Sequence, residues 1–428
     1  MEKSYILKRC TSTLLLLLFV LFSLSAQTGF KEFQGKVIDG KTNKTIEAAS
    51  LSVNNTNIST ITNSEGQFIL KIPSANLDSK LIISFLGYTT YVMPLSELNN
   101  KNYTIELFES VTTLSTVNIA AFKDATSLIR KVFNSKNENV SGETVFMTAF
   151  YRETIKRRNR NVSLTEAVVN ILKQPNSSKE QDAIQLSKAR KSTDYKRLDT
   201  VSVKLQGGPF STMFLDIMKY PEYIFTEESI NGYNFYFDKP STINNRTVFV
   251  VNFNAKNNDL TINYRGKLFI DLESLVLVSA NYFLDVSNMD KTKNLLVKRK
   301  PNDVEVYPLE AIYKVDYKQK NNKWYYSYSN LSLTFKVNKK RQLFNKVYTL
   351  SSEMAVTDWQ VNHTDKKIKN KLSPSVIITD AISGFSDPNF WGQYNLIEPD
   401  KSIETAIEKI RKSIEKERER ERKKTLNG

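Results

Sequence analysis

The chain has 428 residues, with 61 Lys and Arg against 45 Asp and Glu, and a formal net charge of +16. It contains one cysteine, Cys10, and one histidine, His363, which exclude an internal disulfide framework and a zinc site built from several cysteines and histidines. A hydrophobic fraction of 40% over this length is enough for two separate cores, and no cofactor is predicted.

Residues 1–26 are predicted to be a secretory signal peptide. Three basic residues precede an apolar run over residues 14–24, and Ser25-Ala26-Gln27 follows that run. A basic start, a short apolar core and small residues at its exit are typical of such signals. The run is shorter than the roughly 20 apolar residues that a transmembrane helix needs. An uncleaved N-terminal anchor is the alternative.

Cleavage after residue 26 has two consequences for the mature chain. It removes Cys10, so that the exported protein has no thiol. It also removes three basic residues and Glu2, a net +2, and leaves a charge of +14. Such a chain is expected either to meet anionic surfaces of the envelope, including a peripheral membrane contact, or to use its charge only for solubility. Nucleic acid is not an expected partner of an exported protein.

Residues 31–108 are predicted to form a β-sandwich of about seven short strands. Apolar and polar residues alternate along this segment, as they do in half-buried strands. Gly40 and Gly66 occupy turn positions between strand segments, where a backbone of positive φ favours glycine.

This segment resembles the carboxypeptidase-regulatory-like (transthyretin-like) family. The resemblance rests on Gly35-Lys36-Val37, Asp39, Ala49, Thr62-Asn63-Ser64-Glu65-Gly66-Gln67-Phe68 and Ser84-Phe85-Leu86-Gly87-Tyr88. It implies an Ig-like β-sandwich without catalytic chemistry of its own. Such domains often accompany transporters, peptidases and glycan-handling proteins, so the resemblance implies an envelope protein or a glycan as partner.

Residues 109–142 are predicted to link this sandwich to a second domain. The spacing of one helical face predicts a helix from Asp124 to Asn134 within this linker. The apolar residues of that face are Leu128, Ile129, Val132 and Phe133. The Asn- and Lys-rich stretch that follows is expected to be a hinge.

Residues 143–365 are predicted to form one large antiparallel sheet of consecutive hairpins, with a half-barrel as a variant of that fold. Aromatic and β-branched residues alternate with polar ones here. The predicted strands cover 144–155, 162–174, 247–255, 260–272, 275–286, 310–319, 323–337 and 343–356. The best helical candidate is 210–225, which follows Gly207-Gly208-Pro209. That tripeptide is predicted to be a tight turn, since it lacks the residues of a phosphate loop.

The C-terminal part is predicted to contain a strap and a helix. Residues 366–400 read as an ordered strap that packs back onto the sheet through Phe390, Trp391 and Tyr394. Residues 401–428 begin with an isoleucine stripe of helical spacing and end in an all-charged run, which predicts a charged C-terminal helix.

The second domain resembles the β-rich domain that follows a regulatory-like domain in a group of exported Gram-negative proteins. The pieces that carry this resemblance include Phe150-Tyr151-Arg152-Glu153, Tyr264-Arg265-Gly266-Lys267 and Asp387-Pro388-Asn389-Phe390-Trp391-Gly392. The resemblance attaches no activity to the domain. A weaker one, on the strand Tyr264 to Asp271, is to lipoprotein-carrier half-barrels, in which a curved sheet wraps a cavity for acyl chains.

Candidate catalytic groups are sparse. His363 lies in a polar stretch and is expected to be a solvated loop residue, so no Ser-His-Asp triad or zinc site is predicted. Asp271 and Glu273 lie two apart on one strand and would face the same side, as a glycosidase pair requires, but a solvated surface pair is the simpler interpretation. No catalytic residue and no metal ligand is therefore predicted.

Two groups of residues are predicted as possible ligand contacts. Trp324, Tyr326 and Tyr328 alternate along one strand and could stack on sugar rings, although core packing is the simpler role for about half of such rings. Lys339, Lys340 and Arg341 belong to a basic hairpin tip that could touch anionic headgroups or protect a sheet edge.

These observations favour a mainly β, exported and non-enzymatic protein of the cell envelope. We expect it in the periplasm, at the outer membrane or at the cell surface, where it would bind or scaffold through protein or glycan contacts. A carrier of a lipid or acyl chain in a β half-barrel is one alternative, and a glycan-processing hydrolase is another.

Overall fold

The computed structural model describes residues 29–98, 103–110, 122, 124–158, 160–193, 204–226, 228–256, 262–298, 300–340, 344–363, 367–382 and 391–400, with isolated positions between 403 and 422. The predicted signal peptide, Phe390, Arg341 and most of the predicted C-terminal helix lie outside these residues.

The first domain is a sandwich of seven strands, which confirms the predicted fold. Its strands are β1 (Phe30–Asp39), β2 (Ser50–Val53), β3 (Ser59–Ile61), β4 (Gln67–Pro73), β5 (Lys80–Ser84), β6 (Tyr91–Pro94) and β7 (Tyr103–Leu107). They form two sheets, ordered β4-β1-β7 and β3-β2-β5-β6, and β1 pairs with β7 in parallel. Alternating side chains such as Val37, Leu51 and Leu81 fill the space between the sheets.

Gly66 shows why the turn before β4 needs glycine. Its φ is +72°, in the left-handed region, and a Cβ atom there would lie 2.5 Å from the carbonyl oxygen of Val37. Asn63, three residues before Gly66, closes the same turn, since its side-chain oxygen accepts hydrogen bonds from the backbone N–H groups of Glu65 and Gln67 at 2.9 and 2.8 Å.

The second domain is built on one antiparallel sheet of eleven strands, as predicted. The strands are β8 (Val145–Arg157), β9 (Arg160–Lys173), β10 (Ala183–Thr193), β11 (Tyr233–Phe237), β12 (Ser241–Ile243), β13 (Arg246–Ala255), β14 (Tyr264–Asp271), β15 (Leu277–Leu284), β16 (Val304–Lys320), β17 (Lys323–Lys339) and β18 (Lys346–Val361). Their order is β10-β9-β8-β18-β17-β16-β15-β14-β13-β11, with β12 beside β11 on β13. The last strand, β18, therefore lies beside the first, β8.

The described helices are short. Those with both ends described are α1 (Ala125–Asn134), α2 (Pro209–Met213), α3 (Met289–Leu296) and α4 (Ile378–Ala381). The isolated positions described between 403 and 422, within the predicted C-terminal helix, are helical as well. α1 matches the predicted helix, and Asp124 caps it by accepting a hydrogen bond from the N–H of Ser127 at 2.7 Å. The helix predicted over 210–225 is wrong in extent, because α2 ends at Met213 and only a 3-10 turn at Pro221–Tyr223 follows.

The two faces of the large sheet have different coverings. On the inner face, α1 and the cover segment, residues 204–226, pack on the apolar side chains of the strands. On the outer face lie the sandwich and residues 391–400, the last part of the predicted strap 366–400 and the part called the strap from here on. There Ile61 of the sandwich and Trp391 and Ile397 of the strap share one apolar cluster with Phe150 and Tyr328 of the sheet. Ile378 and Ile382, from the earlier part of the predicted strap, pack in the inner core instead.

Candidate functional site: the cleft between the sandwich and the large sheet

The three aromatic residues predicted to stack on sugars are buried. Trp324, Tyr326 and Tyr328 are 2%, 3% and 4% exposed. Stacking on a sugar requires an open ring face. The structure therefore gives all three rings a packing role, and Tyr328 in addition borders the interdomain cleft described below.

Nor do the three rings share one face of the sheet. Tyr328 pairs with Asp316 and Tyr326 pairs with Tyr317, so that Ser327 is an extra residue in β17. Such a bulge reverses the alternation of side chains beyond it. Trp324 and Tyr326 consequently belong to the inner core, whereas Tyr328 belongs to the outer cluster.

The basic residues predicted as ligand contacts lie at the other end of β17. Lys339 is partly exposed, with its Nζ 3.9 Å from a carboxylate oxygen of Asp303, and Lys340 is exposed. Trp324 and Lys339 are separated by a strand length of about 50 Å at ~3.3 Å per residue. The two predicted groups thus do not form one site.

A cleft of about 140 Å³ lies between the sandwich and the outer face of the large sheet. Its lining comes from both domains, and apolar atoms supply more of its surface than polar ones do. The polar or aromatic residues of the lining are Ser50, Ser59, Thr60, Ser84, Phe85, Asn244, Ser279, Asn281, Lys314, Asp316, Tyr317, Lys318, Ser327 and Tyr328. Domain interfaces are frequent positions of ligand sites. This interdomain cleft is the candidate functional site.

Hydrogen bonds between the two domains hold the walls of the cleft. The hydroxyl groups of Ser59 and Thr60 donate to the carbonyl oxygens of Val356 and Leu396 at 3.3 and 3.0 Å. At another side of the domain contact, the N–H of Gly87 donates to the carbonyl of Thr242 at 2.7 Å. Because these bonds come from several strands, they fix the orientation of the sandwich on the sheet.

The charged residues of the cleft differ in whether a residue of opposite charge lies beside them. Asp316 accepts a hydrogen bond from Ser279 at 2.6 Å and lies 3.3 Å from the ammonium group of Lys314. Lys318, two residues along β16, donates to the hydroxyl of Ser50 at 3.2 Å. No ion pair joins Lys318 to a carboxylate of the described residues. Burial, and secondarily the charge of Lys320, lower the pKa of Lys318 to about 8.

A second cavity of about 110 Å³ lies beside the strap, where the sandwich residues Asn63 and Ser64 face the sheet. Its floor is an ion-pair ladder across four neighbouring strands. Arg190, Glu166, Arg152 and Glu353 occupy paired positions on β10, β9, β8 and β18, so that positive and negative groups alternate.

The ladder is buried and tightly connected. The Arg190 and Arg152 guanidinium groups each lie within 2.8 Å of Glu166, and Arg152 lies 3.3 Å from Glu353. Burial acts to raise the pKa of Glu166, but the two guanidinium groups outweigh it and the pKa is lowered. This arrangement is a structural network in which Glu166 stays ionised.

The strap closes over the ladder. Arg152 donates to the carbonyl of Ile397 at 2.5 Å, and Trp391 packs edge-on against Phe150 with ring centroids 5.6 Å apart. Asn395 exchanges two hydrogen bonds with the backbone of Lys71 in β4, at 2.7 and 3.1 Å. The strap therefore binds the sheet and the sandwich together.

On the inner face, polar residues attach the cover segment to the sheet. The ammonium of Lys173 lies 2.7 Å from Asp182 and 2.8 Å from Asp216, and Tyr317 donates to Asp216 at 2.8 Å. A cavity beside this cluster has a volume of about 30 Å³. That is about the volume of one water molecule and far below the space of an acyl chain.

The residues considered as catalytic candidates, His363, Asp271 and Glu273, are either exposed or held in structural contacts. His363 is exposed in the turn after β18. Asp271 is fully buried and accepts two hydrogen bonds from Arg246 at 2.6 and 2.8 Å. Burial pulls its pKa upward, but the bonds from Arg246 and Ser274 outweigh burial and lower it. Glu273 is exposed beside the same Arg246. Among the described residues, no three His, Cys, Asp or Glu side chains cluster as metal ligands would.

Sequence reasoning missed both Lys318 and the ladder. The signal for the ladder was a charged residue inside an otherwise apolar strand, as in the Arg152 and Glu166 segments, because such a residue needs a partner when buried. Lys318 gave no comparable signal, since it lies in an alternating strand with other lysines.

The sandwich geometry agrees with the comparison to known families. Residues 33–119 match the CarboxypepD_reg-like domain. The first domain is thus a regulatory-like domain, and its match does not extend to the large sheet. No curated protein matches the chain.

Solved structures resemble part of the chain at very low identity. An outer membrane lipoprotein-sorting protein domain assigned in Vibrio parahaemolyticus has 10% identity and a TM-score of 0.25, and the match covers 57% of this chain and 94% of that one. A DUF1329 family protein from Desulfovibrio piger has 9% identity and a TM-score of 0.25, and the match covers 57% of this chain and 96% of that one. A LolA superfamily protein from Nitrosomonas europaea has 10% identity and a TM-score of 0.20, and the match covers 58% of this chain and 96% of that one. Scores this low support no argument about function.

Within the part of the chain that the structure describes, no helix combines the length and the apolar character needed to cross a membrane.

Proposed function

We propose that this protein is a non-enzymatic binding protein of the cell envelope, and that it holds an acidic group of a glycan in the cleft between the regulatory-like domain and the large sheet. The observation that carries this proposal is Lys318, a cation that lines the interdomain cleft and whose described polar contact is a hydroxyl group.

The electrostatics of the cleft favour an anionic group. Removing an ammonium from water without a carboxylate partner is costly, and a bound anion would restore the lost interaction. Asp316 interacts with Ser279 and Lys314, and no ion pair joins it to Lys318 among the described residues. An anion beside Lys318 would therefore be stabilised more strongly than a neutral group.

The other walls of the cleft suit a sugar. Hydroxyl and amide groups of Ser84, Asn244 and Asn281 offer both donors and acceptors, and the ring of Phe85 borders the same space. A volume of about 140 Å³ is small beside the ~300–1,000 Å³ of drug-sized pockets. We therefore propose that one acidic sugar unit enters while the rest of the glycan stays outside.

A binding screen tests this proposal. Isothermal titration calorimetry with uronic-acid oligosaccharides and with neutral oligosaccharides of matched length should give heat of binding for the acidic series only. Equal binding of both series would contradict the role of Lys318. If neither series binds and an envelope protein is captured on the same face, the partner of the cleft would be a protein and not a glycan.

A carrier for an acyl chain is the second candidate, favoured by the way the inner face is covered. The sheet and the cover segment meet through apolar side chains such as Phe210, Met213 and Phe225, so lifting the cover would expose an apolar surface. Native mass spectrometry of protein purified without detergent should then reveal bound lipid, and Tyr317→Phe should increase lipid uptake by weakening the attachment at Asp216. Protein that is free of lipid in both forms would exclude this function.

A further inference from the structure

One end of the large sheet combines a dense positive charge with an exposed aromatic side chain. This docking end is made by described residues on either side of the β8–β9 connection (156–158 and 160–161) and of the β17–β18 connection (336–340 and 344–349). The two connections are neighbours, because Arg157 pairs with Tyr348 and the N–H of Arg158 donates to the carbonyl of Val347 at 3.2 Å. We propose that the docking end binds the surface of an anionic phospholipid bilayer.

The charge of the docking end is of one sign. Its two stretches contain no acidic residue. Eight described basic residues belong to it: Lys156, Arg157, Arg158, Arg160, Lys336, Lys339, Lys340 and Lys346. Of these, Arg158, Arg160 and Lys340 are exposed. A half-exposed carboxylate, Asp303, lies 3.9 Å from Lys339. An anionic surface would therefore be attracted to this end, within about 10 Å at 0.1 M salt.

An apolar side chain projects among these charges. Phe344 is 80% exposed and Val347 is 36% exposed. Isolated exposed apolar residues are ordinary, but an aromatic ring at a turn tip that is flanked by cations matches the chemistry of a headgroup–acyl boundary. A bilayer offers both anionic headgroups and an apolar layer below them, which an acidic protein surface or a nucleic acid backbone does not.

The docking end is separate from the interdomain cleft. The lining of the cleft contains none of the residues of the docking end. The inference is therefore independent of the proposed glycan function and is tested with lipids alone.

Vesicle flotation tests the electrostatic part with the full chain. Vesicles of phosphatidylglycerol and phosphatidylcholine should bind the protein, vesicles of phosphatidylcholine alone should not, and 1 M salt should release it. Each cation near an anionic surface contributes on the order of fivefold in binding. The triple variant Arg158→Gln, Arg160→Gln and Lys340→Gln should therefore bind on the order of 100-fold more weakly. A matched variant, Lys131→Gln, Lys239→Gln and Lys323→Gln, removes three exposed cations elsewhere and should bind nearly as the wild type does.

Fluorescence tests the apolar part. The three native tryptophans, Trp324, Trp359 and Trp391, are at most 7% exposed, so Phe344→Trp introduces an exposed reporter. Its emission should shift to the blue with anionic vesicles and be quenched by brominated lipid. Unchanged emission, equal losses in the two triple variants, or binding of nucleic acid in preference to vesicles would each overturn the proposal.

Discussion

At the scale of single residues, the buried charges explain why the outer face can hold its coverings. Glu166 is 0% exposed and lies between two arginines, each within 2.8 Å. Removing one partner of a buried ion pair leaves an uncompensated charge, which is far more costly than losing a surface pair. The ladder therefore depends on Glu166 more than on any exposed carboxylate.

The first prediction concerns that carboxylate. Glu166→Gln should destabilise the protein by about 3–5 kcal/mol, because both guanidinium groups lose their anionic partner. Urea unfolding followed by circular dichroism measures this. Glu273→Gln serves as the control: its side chain is 77% exposed, and the expected loss is below about 1 kcal/mol. Equal losses in the two variants would show that the ladder is not the source of stability.

The second prediction concerns pH and Glu153. This carboxyl is 2% exposed and accepts a hydrogen bond from Tyr151 at 2.9 Å. Burial raises its pKa from 4.5 to about 7, although the bond from Tyr151 opposes the rise. The folded protein then binds this proton more tightly than the unfolded chain, so the contribution of Glu153 to stability falls as pH increases from about 4.5 to about 7.

Glu153→Gln removes that titration, because the amide stays neutral. Relative to wild type, the variant should gain on the order of 2–3 kcal/mol in unfolding free energy between pH 5 and pH 8. Guanidinium unfolding at the two pH values measures the difference. A stability difference that does not change with pH would place the pKa of Glu153 near its ordinary value.

At the scale of elements, the sequence predicted those strands and helices whose apolar residues follow the regular spacing of a strand or of a helix. The four apolar residues of α1, from Leu128 to Phe133, are all buried as predicted. β13 to β18 were recognised because their side chains alternate. The strand β10 was not recognised, since its segment AIQLSKARKST is short of apolar residues and its Arg190 faces a partner from another strand.

The bulge in β17 and the course of the cover segment lay beyond sequence reasoning. Ser327 has no feature that marks it as an extra residue, and only the register with β16 reveals it. The segment after α2 was predicted to stay helical, but Asp216 turns toward Lys173 and Tyr317 in the core. Tertiary partners of this kind override local helix propensity.

The third prediction concerns the strap. Asn395→Ala removes both hydrogen bonds to the backbone of Lys71, leaves buried groups unsatisfied and should cost about 1–3 kcal/mol. Hydrogen exchange at Leu396 and Ile397 should accelerate, while exchange in β8 stays slow. The control is Ser375→Ala, an exposed hydroxyl outside the strap. Unchanged exchange at Leu396 would mean that the contacts of Thr60, Arg152 and Trp391 hold this segment without Asn395.

At the scale of the whole molecule, the regulatory-like domain and the large sheet behave as one body because bonds from β3, β4 and the strap cross between them. Composition and strand patterning predicted two β domains, and the resemblance carried by motifs such as Thr62 to Phe68 implied the family of the first. They did not predict that the sandwich lies on the outer face, since that arrangement depends on contacts such as Ser59 with Val356, almost 300 positions apart in the chain.

The most direct measurement of the central claim is the affinity for an acidic oligosaccharide as a function of pH, for wild type and for Lys318→Met. If Lys318 holds the anion, wild-type affinity should be highest below pH 8 and should decline as pH rises through about 8, the pKa of this lysine. Lys318→Met should bind at least about tenfold more weakly and without that decline, whereas Lys323→Met should match the wild type. Identical affinities and pH profiles for wild type and Lys318→Met would contradict the account.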